Sequence, residues 1–242
     1  MAVLLKHHAP KVPALLRQMA LYFLSFDILL SAANVNTYCQ LAQLVEDQTL
    51  DRTLFSTLNY DCLLEIAFSS RQLSFNYFDD PEGVAPIWKL HGSCNFRTAS
   101  ADKSHDVGSG RTPLPGLIEH MQIADARELW LWESTDVFPP AMSIYLRDTY
   151  NQPAHPQLIE LLQRWGNIVR SAQNVVVVGA QPYPKEDRIW GPLSDTPARV
   201  TYVGDPGAFN RWVANNRTGG QSEFAGSTFD QGFEMVVDAL LQ

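Results

Sequence analysis

In TLFSTLNYDCLLE, residues 53–65, an apolar β-branched run stops at Asn59-Tyr60-Asp61 and restarts as a leucine-rich helix. Strand, polar turn and helix in that order form the unit of an open α/β sheet, where ligands sit at strand C-termini and helix N-termini. Asn59 and Asp61 are therefore predicted to face a crevice. Each also has a purely structural reading. Asp61 can accept amide hydrogens from the first turn of the following helix, and Asn59 can brace the turn through its own backbone. A second stretch, PIWKLHGS at 86–93, repeats the pattern with a short apolar strand that ends in His91 and a glycine.

Outward from these two stretches the same alternation recurs. The run at 175–178 is four valines ended by Gly179, the mark of a strand buried on both faces and central in its sheet. Gly179 either lets the backbone pass close to a ligand or fits a tight bend. Residues 199–203 read as another strand, ended by Gly204-Asp205. ELWLWES at 128–134 reads as one more, with Trp130 and Trp132 on one face. Helices are predicted from Pro13, over 36–45, over 157–172 and over 230–241. Their apolar residues recur at helical spacing, including Leu15, Met19, Tyr22, Phe23, Phe26, Leu29 and Leu30 in the first. Residues 97–111 are polar and Gly/Ser-rich without a hydrophobic period, which predicts a flexible excursion. The expected fold is α/β: one domain over 1–242, with a parallel sheet and helices on both faces.

Composition narrows the function. The chain has 242 residues, 45% of them hydrophobic and 18% charged, enough for one folded domain with a substantial core. A net charge of −8 without a Lys/Arg cluster argues against nucleic-acid binding. The apolar stretch at 20–33 is too short to span a membrane and carries Asp27, and its helical spacing outweighs a faint likeness to a signal peptide. Three cysteines, Cys39, Cys62 and Cys94, stand without a CxxC pair. That spacing offers no zinc ribbon and fits a reducing, cytoplasmic setting. His7-His8 has no partner pattern for a metal. The sequon at 216–218 means nothing without secretion.

Several motifs together carry a family resemblance. Residues 57–61 read TxNxD, and KLHGS at 89–93 ends the next strand. PPAMSIYLRD (139–148), VVVVGAQPYPKED (175–187) and VTYVGDP (200–206) follow in order. This series resembles the sirtuin-like NAD-consuming domains, and within them the bacterial branch that hydrolyses NAD. The resemblance implies a Rossmann-like fold, NAD as the substrate, no metal, cleavage to nicotinamide and ADP-ribose, and a role in bacterial antiphage defence. Asn59 would order the ribose or the attacking water, and His91 would act as general base on a ribose hydroxyl or on water. Imidazole titrates near neutrality, so it suits that work. Asp61 would contact the carboxamide, and Thr57, Gly92, Gly179, Gln181, Asp187 and Asp205 would contact the rest of NAD. Asp205 ends a strand, where an acidic side chain can take both hydroxyls of an adenosine ribose; Gly204-Asp205-Pro206-Gly207 is also good turn chemistry. The geometric expectation is that Asn59, Asp61 and His91 line one hollow.

The chain departs from that family at two points. Gln181 stands where relatives have serine, which weakens any ribose contact there. The opening strand and its Gly-Ala-Gly-x-Ser loop, whose amides cradle the pyrophosphate, are missing: the first glycine is Gly83, and MAVLL at 1–5 leads into Lys6-His7-His8. A gap in the sheet is expected, in either a shortened product or a degenerate relative. Several charge-assisted hydrogen bonds to the diphosphate would be lost, so NAD binding should be weak or absent at micromolar concentration. The alternative to a hydrolase is a sirtuin-like scaffold without catalysis, which binds NAD or ADP-ribose, a protein partner or further copies of itself.

Overall fold

Two three-stranded parallel sheets carry the architecture in the computed structural model, which describes residues 12–26, 36–50, 52–78, 85–100, 115–120, 139–143, 155–183 and 186–242. In the first, β1 (Phe55–Thr57) pairs with β3 (Ala85–Lys89), and β2 (Phe75–Asn76) lies on the other side of β3. The second runs β6 (Asn174–Val178), β7 (Arg199–Val203), β8 (Ser222–Gly226) in that order. An antiparallel pair, β4 (Phe96–Ser100) and β5 (Pro115–His120), stands apart. Parallel strands need crossovers, and helices supply them. The fold is Rossmann-like α/β.

Seven helices are described: α1 (Val12–Leu24), α2 (Thr37–Glu46), α3 (Leu63–Ser70), α4 (Pro156–Ser171), α5 (Asp187–Asp195), α6 (Pro206–Asn216) and α7 (Phe229–Leu241). On one face of the second sheet, Leu161 and Trp165 of α4, Leu193 of α5 and Trp212 of α6 close over Val177, Val200 and Tyr202. α7 covers the opposite face, where Gly232 comes close enough that a Cβ there would meet the Val203 side chain. The indole of Trp165 also donates to Ser56 Oγ at 3.0 Å, so α4 reaches across to β1. Among the described residues no helix is long and apolar enough to cross a membrane.

One side chain holds the corner between α5 and β7. Arg217 Nη1 donates to the carbonyls of Leu193 (3.0 Å), Ser194 (3.0 Å) and Thr196 (2.6 Å), and Nη2 to that of Ala198 (2.7 Å). Leu193 and Ser194 lie in the last turn of α5, whose carbonyls find no amide within the helix, Thr196 is its C-cap and Ala198 leads into β7; a planar five-donor fork suits such a cluster. Burial pushes the guanidinium below its ordinary range, with Asp195 pulling the other way.

The structure corrects three expectations. The valine run is an edge strand among the described residues: β6 pairs only with β7, and Val178 is 39% exposed. Residues 97–100 belong to β4, because their backbone finds the edge of β5, whatever their side-chain polarity. In α1 the buried residues are Leu16 and Ala20, while Leu15 and Tyr22 point outward, because the helix packs on Cys62, Cys94 and Met142 through a neighbouring stripe. The strand read at 128–134, residues 1–11 with MAVLL and His7-His8, Leu29, Leu30 and residues 101–114 lie outside the described residues.

Candidate functional site

The register of β1 on β3 sets Thr57 beside Lys89, and the Leu90 amide then donates to Thr57 O at 3.0 Å. Both strands end there, so Asn59 and Asp61 emerge next to His91. Asn59 is exposed, and its amide donates to Thr57 Oγ1 at 3.0 Å. Asp61 Oδ1 accepts from the Leu63 amide at 3.1 Å, so it takes an amide hydrogen of the first turn of α3 from one residue before the N-cap, Cys62. Beneath this turn lies a buried cation. Lys89 is 1% exposed; its ammonium donates to the Asp61 carbonyl and sits 3.1 Å from Glu65 Oε1. Burial alone would push the ammonium down, but the Glu65 carboxylate overrides it and Lys89 stays above the ordinary lysine range.

His91 is 6% exposed, and its Nε2 lies 2.9 Å from Glu186 Oε1. The segment 139–143 crosses over it: the Ser143 amide donates to His91 O at 2.8 Å, and the Ser93 amide to Ala141 O at 3.2 Å. Gly92 makes this crossing feasible. Its φ of +80° lies in the left-handed region, and a Cβ there would overlap the Ala141 carbonyl. Tyr60 ties the two strand ends to the same segment, its hydroxyl donating to Ser143 O and its carbonyl accepting from the Cys94 amide at 2.9 Å. Burial, then the nearby Glu186 charge, pushes the Tyr60 phenol up to about 12. The Cys62 and Cys94 sulfurs lie 3.5 Å apart in the interior, and the contact with Cys94, then burial, pushes the Cys62 thiol up.

A cavity of about 1280 Å³ opens between β1 and β6. Thr57, Asn59, Asp61 and Gly179 line it, four of the residues singled out from the sequence. Gly179 has φ +71° and no atom within 4 Å of where a Cβ would stand, so the backbone bend explains the glycine. The other five residues lie elsewhere. Gly92 serves the crossing of 139–143. Gln181 and Asp187 are exposed, Asp187 as the first residue of α5. Asp205 caps α6, accepting from the amides of Gly207 (2.7 Å) and Ala208 (3.3 Å). His91 packs in the interior under residues 139–143. The hollow shared by Asn59 and Asp61 therefore excludes the imidazole, although the three residues stand on neighbouring strand ends.

Glu186 is the residue that sequence reasoning passed over. PKED at 184–187 offers two acids side by side, and Asp187 matched the motif while Glu186 turns inward to His91. Among the described residues no three His, Cys, Asp or Glu side chains converge in a metal-binding arrangement. Neither protein-family models nor curated proteins give a match to this chain.

Proposed function

We propose that the protein is a sirtuin-like domain that takes NAD as its substrate and cleaves it to nicotinamide and ADP-ribose. The observation that supports this reading is the His91–Glu186 pair, 2.9 Å apart, at the end of the strand next to the one that delivers Asn59 and Asp61. In the reaction the bond between ribose C1′ and the nicotinamide nitrogen breaks and its electron pair leaves with the base, which departs neutral. The ribose takes on positive charge, a water oxygen bonds to C1′, and the water gives up a proton. The resemblance gives His91 the part of accepting that proton, with Glu186 to orient the imidazole and offset the charge it gains; this requires residues 139–143, which cover His91, to draw back from it. Asn59 orders the ribose or the water, and Asp61 accepts from the carboxamide. Positioned groups of this kind lower the barrier without tight ground-state binding. The same resemblance carries the setting with it, a cytoplasmic effector in bacterial antiphage defence.

The test is nicotinamide release at NAD concentrations from micromolar to millimolar. Without the glycine-rich cradle, half-saturation is expected well above the micromolar range. Asn59→Ala and His91→Ala should each lower turnover by about 10²-fold or more. Turnover by His91→Ala at the wild-type rate removes His91 from the chemistry. One observation favours a second reading, a scaffold that binds NAD or ADP-ribose or a protein without cleaving: His91 is 6% exposed and does not line the cavity. Saturable ADP-ribose binding in a calorimeter with no nicotinamide release at millimolar NAD would decide for it.

A further inference from the structure

The cysteines divide into one that stands alone and two that touch. Cys39 of α2 packs in a cluster with Leu64, Phe68 and Ile87. Cys62 and Cys94 are 32 positions apart in sequence, yet their sulfurs lie 3.5 Å from each other, under a cover that includes Leu16, Ala20 and Met142. Each follows one of the two polar turns at the strand ends. Cys62 comes directly after Asn59-Tyr60-Asp61 as the N-cap of α3, and Cys94 directly after His91-Gly92-Ser93. The backbone already joins these turns: Tyr60 O accepts from the Cys94 amide at 2.9 Å and from Ser93 Oγ at 3.4 Å. With the turns held together, the sulfurs need to approach by only about 1.5 Å to reach the ~2.05 Å of a disulfide. As packing, two thiols do what two small apolar side chains would do. As chemistry, they are a pair that a mild oxidant can join. Both are free and buried, and the contact with Cys94, then burial, pushes the Cys62 thiol up. The thiolate is the form that attacks, so the closed pair reacts slowly and only with an oxidant small enough to enter.

We propose that Cys62 and Cys94 form a reversible disulfide when the protein meets a hydroperoxide, and that the bond clamps the two polar turns to each other. One thiolate attacks the peroxide, the O–O bond breaks, and hydroxide leaves to become water, so that sulfur becomes a sulfenic acid. The second sulfur then bonds to the first and displaces the sulfenic oxygen as a second water. Two thiols and one hydrogen peroxide thus become one disulfide and two waters, the sulfurs giving up two electrons to the peroxide oxygens. A dithiol reductant reverses the step by thiol–disulfide exchange. In a reducing setting such a bond is transient, which suits a sensor rather than a permanent brace. What it senses is passed on locally. Asp61 immediately precedes Cys62, and His91 precedes Cys94 by three positions, so the clamp restrains the ends of β1 and β3 against each other. The inference rests on the placement of the two sulfurs, independently of NAD chemistry.

The test exposes the reduced full chain to hydrogen peroxide, blocks the remaining thiols with N-ethylmaleimide, and maps tryptic peptides by mass spectrometry. Cleavage after Arg52, Arg71, Lys89 and Arg97 sets Cys62 and Cys94 on separate peptides, 53–71 and 90–97. A cross-link between these two is expected, with Cys39 alone carrying the blocking group. Dithiothreitol should return all three cysteines to the blockable form. The peroxide-treated chain should melt several degrees above the untreated one, because the cross-link restrains the unfolded chain. In Cys94→Ser the same treatment should give neither the cross-link nor the rise. Three blockable thiols after excess peroxide, a cross-link that includes Cys39, a disulfide-linked dimer, or sulfinic acid at Cys62 or Cys94 in place of the cross-link overturns the proposal. A cross-linked chain that melts no higher than the reduced one overturns the clamp.

Discussion

The two parallel sheets have opposite kinds of interior. Along β3 and the turn after it, Lys89, His91, Ser93 and Asn95 are all buried, alternating with Trp88, Leu90, Cys94 and Phe96. One side of this segment is therefore polar inside the protein, held by Glu65, Glu186 and the Tyr77 hydroxyl, which accepts from Asn95 Nδ2 at 2.9 Å. Around β7 the interior is aromatic and aliphatic, with Trp190 edge-on to Trp212 at 5.3 Å and Tyr202 stacked on Phe209 at 4.8 Å. Apolar contacts are many, small and forgiving. Buried polar pairs are few, and each depends on its partner. The sheet around β7 is an apolar support, and the polar half rests on a few pairs that each need their partner.

The strongest way to break this contrast is to remove one partner of the Lys89–Glu65 pair. Glu65→Ala leaves an ammonium 1% exposed without its carboxylate, and should cost about 3–5 kcal/mol in urea unfolding. Lys89→Met with Glu65→Leu should recover most of that loss, since replacing both members of a buried pair is nearly neutral. A single-variant cost below about 1 kcal/mol would mean that the pair is hydrated, and the contrast would fail. In the other half, Leu193→Ala should cost about 2–5 kcal/mol, with no recovery by a second-site change. Smallest is Asp205→Ala, which loses the cap of α6 for about 1 kcal/mol, while Asp205→Asn keeps it. If Asp205→Ala leaves stability unchanged but weakens ADP-ribose binding, the residue acts as a ligand contact and the support half carries function too.

The strand-turn-helix units were legible because their signals are local. β7 follows the strand read at 199–203, and α4 and α7 follow their apolar stripes within a residue or two. Asn59 and Asp61 were placed at the end of β1 from the same pattern. What stayed hidden is set by partners distant in sequence. The edge position of β6 depends on what lies beside it, and four valines in a row give no sign of that. β4 owes its existence to β5, which pairs with a polar stretch. The burial of His91 comes from residues 139–143 crossing it about 50 positions later, and its pairing with Glu186 from a helix start further on still. In Gly92 the sequence holds a trace of that crossing, but a glycine after a strand also reads as an ordinary turn.

Arg217 ties the corner at 193–198 to a point 19 to 24 positions further along the chain, over and above the local bonds of the Thr196 amide to Pro192 O at 3.0 Å and of the Ala198 amide to Thr196 Oγ1 at 3.1 Å. The link between α5 and β7 thus depends on where α6 ends, and loss of one guanidinium would take a donor from four carbonyls at once.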